Sequence, residues 1–277
     1  MIAYLQLTRV YMALILGLAA LVGAHLSHVD IPLPALIMIY VAQACIAAGG
    51  FAMNDVLDQG RDAGVSAKPI SSGRISVRVA AAVSTLLIVA GVVVASRLSG
   101  YLALFAVGQC LLVWLYSSIK LWSGIVANWI TAGLCASGFM FGSIYAGSVG
   151  LSWFPILLTL EIILARELVK DALDIDVDFA AGVKTVPINF GLRSTHKRVY
   201  FIILASICTS MAPLLLGIRL NVLSVAAICG IMFLLLAILV RYPLFSKEHK
   251  RKHAGVFLNA SALGFLFALA ALWHLGN

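Results

Sequence analysis

An all-α polytopic membrane protein, folded as a bundle of nine transmembrane helices, is the fold class that this sequence predicts. Of its 277 residues, 62% are hydrophobic and only 11% are charged, and the mean hydropathy is +1.06. Soluble domains carry about 25% charged residues. The apolar stretches approach the length of about 20 residues that a helix needs to cross a bilayer. They cover residues 10–27, 33–53, 77–96, 101–118, 122–146, 152–170, 198–217, 220–240 and 254–275.

Each of the nine stretches is interpreted as a helix on its own grounds. The first is followed by no small-x-small cleavage site within residues 19–30, so a membrane helix is favoured over a signal peptide. The second and the sixth each end in a cluster of carboxylates. The remaining stretches are predicted from their length and hydropathy.

The basic residues indicate how these helices are oriented. If the N-terminus is inside, 17 of the 19 Lys and Arg residues fall on the cytoplasmic side, and only Arg97 and Arg219 fall outside. Cytoplasmic loops of membrane proteins carry such an excess of Lys and Arg. Topology therefore explains the net charge of +8, and we expect contact with membrane lipids and no nucleic-acid partner. We expect an integral plasma-membrane protein whose acidic clusters face the cytoplasm.

Eight of the 11 acidic residues lie in two short stretches, FAMNDVLDQGRD (51–62) and RELVKDALDIDVD (166–178). Each stretch contains three aspartates at spacings of three and four: Asp55, Asp58 and Asp62 in the first, and Asp171, Asp174 and Asp178 in the second. The offset of 116 residues between the triplets also maps Lys68 onto Lys184. We interpret this pattern as a pseudo-repeat within a single domain of residues 1–277.

The spacing of the aspartates indicates a metal site. Spacings of three and four predict that each triplet lies on one face of a helix, where like charges repel. Carboxylates at a helix C-terminus also oppose the macrodipole, so a cation is expected nearby. Mg²⁺ prefers one or two carboxylates together with waters and a phosphate. The six aspartates are therefore predicted to bind Mg²⁺, two ions in all, with a diphosphate between the clusters.

Two other interpretations were weighed against a metal site. A solvated interfacial face explains a single acidic helix end, but less readily two clusters with the same spacing. A transporter would place acids near the bilayer midplane on broken helices. Here the acids lie at helix ends and are followed by loops with lysines, which favours phosphate chemistry.

Five stretches, in order along the chain, resemble motifs of the UbiA-type intramembrane prenyltransferase superfamily. NDVLDQGRD (54–62) is similar to its first aspartate-rich motif and KDALDIDVD (170–178) to its second. KPISSGRIS (68–76), YSSIKLWSGIVAN (116–128) and GVKTVPINFG (182–191) resemble three further stretches. The chain departs from the family pattern in several places. Lys68 stands for Arg, Ser71 for Pro, and Ala127 and Val177 for Gly, and the segment AGVS before Lys68 lacks the usual Asn-x-Pro.

The resemblance implies a central cavity that opens to lipid, closed by a cytoplasmic polar cap. It also implies that an isoprenyl group passes from an allylic diphosphate to an acceptor in the presence of Mg²⁺. Asn54 is then an expected oxygen donor or orienting group. Diphosphate contacts are expected from Arg9, Lys68, Arg74, Lys120, Lys170 and Lys184. Tyr116, Asn128 and Tyr145 are expected in the substrate cavity, where a tyrosine ring face can steady a cation.

The sequence around the second motif bears on the acceptor. The stretch ARELVKDALDIDVDFAAGVKTVPI (165–188) most resembles the branch whose acceptor is geranylgeranylglyceryl phosphate. The alternative is an aromatic acceptor such as 4-hydroxybenzoate, a naphthoate or a homogentisate.

Overall fold

The computed structural model describes residues 1–60, 68–217, 222–241 and 250–273, and the regular structure in these ranges is helical. A short 3₁₀ turn spans Gly150–Ser152. The α-helices are α1 (Ile2–Leu7), α2 (Val10–His25), α3 (Leu33–Leu57), α4 (Val77–Leu98), α5 (Gly100–Trp122), α6 (Gly124–Ala146), α7 (Trp153–Leu173), α8 (Ile175–Ala180), α9 (Val186–Leu215), α10 (Val222–Arg241) and α11 (Lys250–Trp273).

The predicted all-helical membrane fold is confirmed. Within the described ranges, nine helices have 16 residues or more, and each overlaps one predicted apolar stretch. Six are long and apolar enough to cross a membrane: α3, α4, α5, α6, α9 and the Gly255–Trp273 part of α11. Helix α2 and the Val225–Arg241 part of α10 are shorter apolar helices. Nine membrane crossings therefore stay a prediction.

The chain forms two compact units. Unit 1 comprises Met1–Ser118 and Ser137–Ser152, and unit 2 comprises Ile119–Ala136 and Trp153–Asn277. Each unit carries one of the two aspartate motifs. Helices α5 and α6 contribute residues to both units.

Close packing between helix backbones fixes α3 in unit 1. A Cβ atom on Gly49 would lie 2.9 Å from the carbonyl oxygen of Ser84, so α3 and α4 approach more closely than a larger side chain allows. The Ser84 hydroxyl donates to the Gly49 carbonyl at 2.8 Å in the same contact. The C-terminal end of α3, which carries Asp55, is thereby held on a rigid pair of helices.

An apolar core holds α7 in unit 2. Leu168, Val169 and Ala172 of α7 are buried in one cluster with Val199 and Ile203 of α9. Residues of α10 and α11 complete this cluster. The face of α7 that packs on α9 is therefore apolar over its last two turns, up to the point where the second aspartate motif begins.

The predicted seventh helix begins too late. It was placed at 198–217, whereas α9 starts at Val186 and contains a non-helical residue, Gly191, with φ of +78°. Pro187 suits the first turn of a helix, because its missing N–H has no partner to lose there. Polar residues such as Arg193 and Lys197 lower the hydropathy of the first turns, so an apolar window misses them. The helices α1 and α8 are not predicted because each has only six residues, far fewer than a window of membrane-spanning length.

Candidate active site

Asp55, on the last turn of α3, is buried and paired with two cations. Arg9 Nη2 donates to Asp55 Oδ1 at 3.1 Å, and Lys68 Nζ lies 3.6 Å from the same oxygen. The aspartate is only 5% exposed. Positive charge here offsets the unfavourable interaction between a carboxylate and the negative end of a helix. The two cations and the carboxylate thus form a locally positive group at the end of α3.

Arg9 reaches Asp55 from an unusual backbone conformation. It lies between α1 and α2 with φ of +43°, a left-handed value that is uncommon for residues other than glycine. Its guanidinium also lies 5.2 Å from the centroid of the Phe51 ring, within the range of a cation–π contact. Such backbone strain persists where the surrounding contacts determine it. Here those contacts are the Asp55 carboxylate and the Phe51 ring.

Asp58 has a different environment from Asp55, because its described partners are neutral. It follows the last residue of α3 and is 8% exposed. Ser117 Oγ of α5 donates to Asp58 Oδ1 at 2.7 Å, and Asn54 Nδ2 lies 3.4 Å from Asp58 Oδ2. Ser117 was missed by the sequence analysis, although it belongs to the YSSIKLWSGIVAN stretch. Its neighbour Tyr116 is half-buried on α5.

The third member of the first triplet, Asp62, lies outside the described residues. The structure therefore describes two of the three aspartates of this motif. Both are buried, and both lie within one turn of the end of α3.

In unit 2, Asp171 is held by a neutral amide. Asn128 Nδ2 of α6 donates to Asp171 Oδ2 at 2.8 Å, and the two residues are 3% and 5% exposed. Asn128 was expected in the substrate cavity, and the structure places its amide against a predicted metal ligand. The arrangement orients the carboxylate without cancelling its charge.

The second triplet does not lie on one continuous helix, so that prediction is wrong. Helix α7 ends at Leu173, Asp174 is the residue before α8, and Asp178 lies within α8. Asp174 is exposed, whereas Asp178 is 8% exposed. A break between the helices reduces the repulsion that stacked carboxylates would feel on one face. It also puts Asp178 in the first turn of α8, where a negative charge interacts favourably with the positive end of the helix dipole.

Lys170 is paired within its own helix. Its ammonium lies 3.0 Å from both carboxylate oxygens of Glu167, which confirms the pairing that the i,i+3 spacing predicts. Lys120 lies half-buried on the last turn of α5, and Lys184 is exposed. The carbonyl of Lys184 accepts a bond from the Gly124 amide at 3.0 Å, which joins the segment after α8 to the start of α6.

The structure describes two further predicted site residues. Arg74 is exposed and donates to Gln6 Oε1 at 2.6 Å and to Ser72 Oγ at 2.8 Å. Tyr145 packs against an apolar cluster that includes Ile39 and Ile46 of α3. The roles of Arg74 in diphosphate binding and of Tyr145 in the substrate cavity stay predictions.

The donor atoms at both motifs suit a hard divalent cation. In residues 1–60, 68–217, 222–241 and 250–273, no three His, Cys, Asp or Glu side chains converge as a metal-binding group. The buried carboxylates of Asp55, Asp58, Asp171 and Asp178 are nevertheless oxygen donors of the type that Mg²⁺ prefers. The amide nitrogen of Asn54 donates to Asp58 Oδ2 at 3.4 Å and so orients that carboxylate.

Fold and site together define an integral membrane protein in which two helices end in buried aspartates. Residues 13–273 match the UbiA prenyltransferase family. The chain belongs to this family and is a prenyltransferase enzyme. Membership confirms the family and the enzyme class that the sequence motifs predict, and it excludes the alternative of a transporter.

Relatives and solved structures agree with this assignment. The digeranylgeranylglyceryl phosphate synthase of Sulfurisphaera tokodaii is 29% identical over 281 residues, which cover 98% of each chain. That of Methanoculleus marisnigri is 30% identical over 214 residues, which cover 76% of each chain.

A solved structure from work on digeranylgeranylglyceryl phosphate synthase in membranes has 23% identity and a TM-score of 0.77, and the match covers 99% of this chain and 97% of that one. A UbiA homologue from Archaeoglobus fulgidus, bound to GPP and Mg²⁺, has 18% identity and a TM-score of 0.68, with 98% and 99% of the two chains covered. At these identities the two solved structures establish a shared fold.

Proposed function

We propose that this enzyme transfers an isoprenyl group from an allylic prenyl diphosphate to a prenylglycerol lipid in a Mg²⁺-dependent reaction. Geranylgeranylglyceryl phosphate is the acceptor that we favour, because relatives named as digeranylgeranylglyceryl phosphate synthases align over 98% and 76% of the chain. The structural observation that carries the proposal is the group of Arg9, Lys68 and Asp55. It places two cations on one carboxylate oxygen in a prenyltransferase.

The six motif aspartates are the proposed metal ligands, with one ion at each motif. Bound Mg²⁺ would neutralise the diphosphate and so make it a better leaving group. Asn128 and Ser117 orient the carboxylates of Asp171 and Asp58 through the hydrogen bonds described above. Both donors are neutral, so neither hydrogen bond cancels the charge of the carboxylate that it orients. Asn54 supports Asp58 from the preceding turn.

The proposed diphosphate contacts are the cations near the two motifs. Arg9 and Lys68 bring two positive charges beside the single charge of Asp55, and both are proposed to contact the diphosphate. Lys120 and Lys184 are also proposed diphosphate contacts, as the motif resemblance implies. Lys170 contributes less, because Glu167 already offsets its charge. Such preorganised cations stabilise the charge that develops on the departing oxygens.

The proposed setting is the plasma membrane, with the N-terminus and both motifs on the cytoplasmic side. This orientation is supported by the 17 of 19 basic residues that it places inside. Tyr116 is proposed to line the substrate cavity, since it adjoins Ser117, the partner of Asp58.

The proposal is tested with the full chain in lipid nanodiscs, supplied with radiolabelled geranylgeranyl diphosphate. Geranylgeranylglyceryl phosphate and 4-hydroxybenzoate are offered separately, and mass spectrometry identifies the products. We expect a prenylated glyceryl phosphate that requires Mg²⁺ and is lost with EDTA. Asp58→Ala should lower turnover by at least about 100-fold, because transition-state charge stabilisation is lost.

The matched control is Asp30→Ala, which removes an exposed acid outside both motifs and should retain activity. If only the aromatic acceptor is prenylated, the enzyme belongs to the branch that uses aromatic acceptors. Equal turnover with Mg²⁺, with EDTA and with Asp58→Ala would overturn the metal-dependent mechanism.

A further inference from the structure

A chain of hydrogen bonds connects α1 to the backbone of Lys68. Gln6 Oε1 accepts from Arg74 Nη1 at 2.6 Å, and Arg74 Nε donates to Ser72 Oγ at 2.8 Å. The Ser72 hydroxyl in turn donates to the Lys68 carbonyl at 2.7 Å. A hydroxyl can donate one bond while it accepts others, so the three bonds can exist together. The Ser72 amide also donates to the Lys68 carbonyl, at 3.1 Å.

Apolar packing fixes α1 against the same segment. Leu7 of α1 is fully buried in a cluster with Ile75, Ala52 and Ala80. Ile70 packs against this cluster from within the segment 68–76. Helix α1 is thus held on α3, on α4 and on the segment that follows Lys68, which gives Gln6 a fixed position from which to bind Arg74.

The two ends of this arrangement meet at one carboxylate. Arg9, three residues after Gln6, donates to Asp55 Oδ1, and Lys68 Nζ approaches the same oxygen. A closed ring therefore runs from Gln6 along the chain to Arg9, across Asp55 to Lys68, and back through side chains to Gln6. Helix α1 is therefore connected to both cations, to Arg9 through the backbone and to Lys68 through Arg74 and Ser72.

We propose that Gln6 and Arg74 are positioning residues that hold Lys68 where its ammonium and the Arg9 guanidinium can bind the same diphosphate. The inference rests on the proposed function, because it takes Lys68 as a diphosphate contact. It assigns Arg74 to support of that contact, since two of its nitrogens already donate to Gln6 and Ser72. A bond that only stabilised the fold would alter thermal stability and leave the KM for the diphosphate unchanged.

Steady-state kinetics of the full chain in nanodiscs test this role. Gln6→Leu removes the acceptor for Arg74 and should raise the KM for geranylgeranyl diphosphate about three- to tenfold. This is less than the full value of one hydrogen bond to a charged group, because Gln6 acts on Lys68 only through Arg74 and Ser72. The kcat should change less than about twofold, because the substitution does not touch the reacting atoms. Gln6→Glu keeps an acceptor oxygen and should restore the KM of the unchanged protein.

Thr8→Val is the matched control on α1. It removes a bond from Thr8 Oγ1 to the Tyr4 carbonyl, at 2.9 Å, and leaves the segment 68–76 untouched. Its KM should equal that of the unchanged protein. Hydrogen exchange supplies a second readout, in which Gln6→Leu should speed exchange at the amides of Ser72, Gly73 and Ile75 while Thr8→Val does not.

A double-mutant cycle decides whether Gln6 acts through Lys68. In a Lys68→Ala background, Gln6→Leu should have no further effect on KM, because the group that it positions is gone. Additive effects, an unchanged KM in Gln6→Leu, or a raised KM without faster exchange would each overturn the inference. If one of these outcomes occurs while Asp58→Ala and EDTA still abolish turnover, only the inference about Gln6 is overturned. If Asp58→Ala and EDTA leave turnover intact, the proposed function itself is overturned.

Discussion

In the aspartate motif of unit 1, Asp55 is paired with two cations, whereas in unit 2 Asp171 is paired with a neutral amide and its motif is interrupted by a helix break. Asp55 meets both Arg9 and Lys68 within 3.6 Å. Asp171 meets the amide of Asn128 instead. The lysine beside Asp171 is directed to Glu167 at 3.0 Å. Two motifs with the same spacing therefore present different charges.

This difference suggests that the two motifs have different roles in binding the diphosphate and the metal. The group around Asp55 carries excess positive charge, which suits it to the diphosphate. Asp171 keeps its negative charge in a buried site, which suits it to a divalent cation. Variants of the two cations beside Asp55 should then act mainly on the KM for the prenyl diphosphate, and variants of Asp171 mainly on the Mg²⁺ requirement.

Asp171→Asn is expected to have the largest effect. It keeps an oxygen that can accept from Asn128 and removes the charge that would bind a metal. Turnover should fall at least about 100-fold, as the loss of several kcal/mol of metal-assisted charge stabilisation implies. A Mg²⁺ titration of the residual activity should show a higher half-saturating concentration. An unchanged titration would remove Asp171 from the metal site.

Arg9→Gln should have the next largest effect, on substrate binding. The loss of one charge-assisted hydrogen bond is worth about 1.5–3 kcal/mol, so the KM for the prenyl diphosphate should rise at least about tenfold. The Mg²⁺ titration should stay as in the unchanged protein, in contrast to Asp171→Asn.

Arg97→Gln, which removes an exposed arginine at the end of α4, is the matched control for Arg9→Gln. Its KM should not change. If Arg9→Gln shifts the Mg²⁺ titration and not the KM, the division between the two motifs does not hold.

Ser117→Ala tests the neutral partner of Asp58 and should have a smaller effect. A hydrogen bond from a neutral hydroxyl to a carboxylate contributes about 1.5 kcal/mol at the low end, which corresponds to a loss of roughly tenfold in kcat/KM. Ser118→Ala is a close control, because Ser118 is the exposed neighbour on the same helix and should tolerate the change. Equal losses in both variants would indicate a general disturbance of α5 rather than a role for the bond to Asp58.

Asp176→Asn should have the smallest effect, because Asp176 lies between two motif positions and is exposed. Turnover should change less than about twofold, as for most surface substitutions. Asp174→Asn provides the comparison, since Asp174 is also exposed but belongs to the motif. Equal activity of the two variants would limit the metal site of unit 2 to Asp171 and Asp178.

Hydropathy predicted the long helices well, because an apolar run in a bilayer satisfies its backbone groups best as a helix. It failed where polar residues continue a helix beyond its apolar part, as between Val186 and Lys197 in α9. The local pair of Glu167 and Lys170 was predictable from i,i+3 spacing. Local spacing did not predict that α7 would end within the second triplet.

The long-range partners of the site could not be derived from sequence. Arg9 and Asp55 are 46 residues apart, and Ser117 and Asp58 are 59 apart. Motif resemblance identified Arg9, Asp55 and Asp58 as site residues, but which side chains meet depends on how helices pack. Gln6 carries no motif signal, and only the position of α1 against the segment 68–76 brings it to Arg74.

The backbone conformation at residue 9 limits which amino acids can replace Arg9. Its left-handed φ of +43° suits glycine or asparagine, neither of which carries a cation. Asp55 instead requires a long side chain that bears a positive charge. Lysine would carry the positive charge, but it lacks the planar guanidinium with which Arg9 contacts the Asp55 carboxylate and the Phe51 ring. Glycine or asparagine would relieve the backbone strain but would lose the charge that pairs with Asp55, and lysine would keep the charge but lose the guanidinium contacts. In saturation mutagenesis of residue 9, we therefore expect arginine to give the most active enzyme.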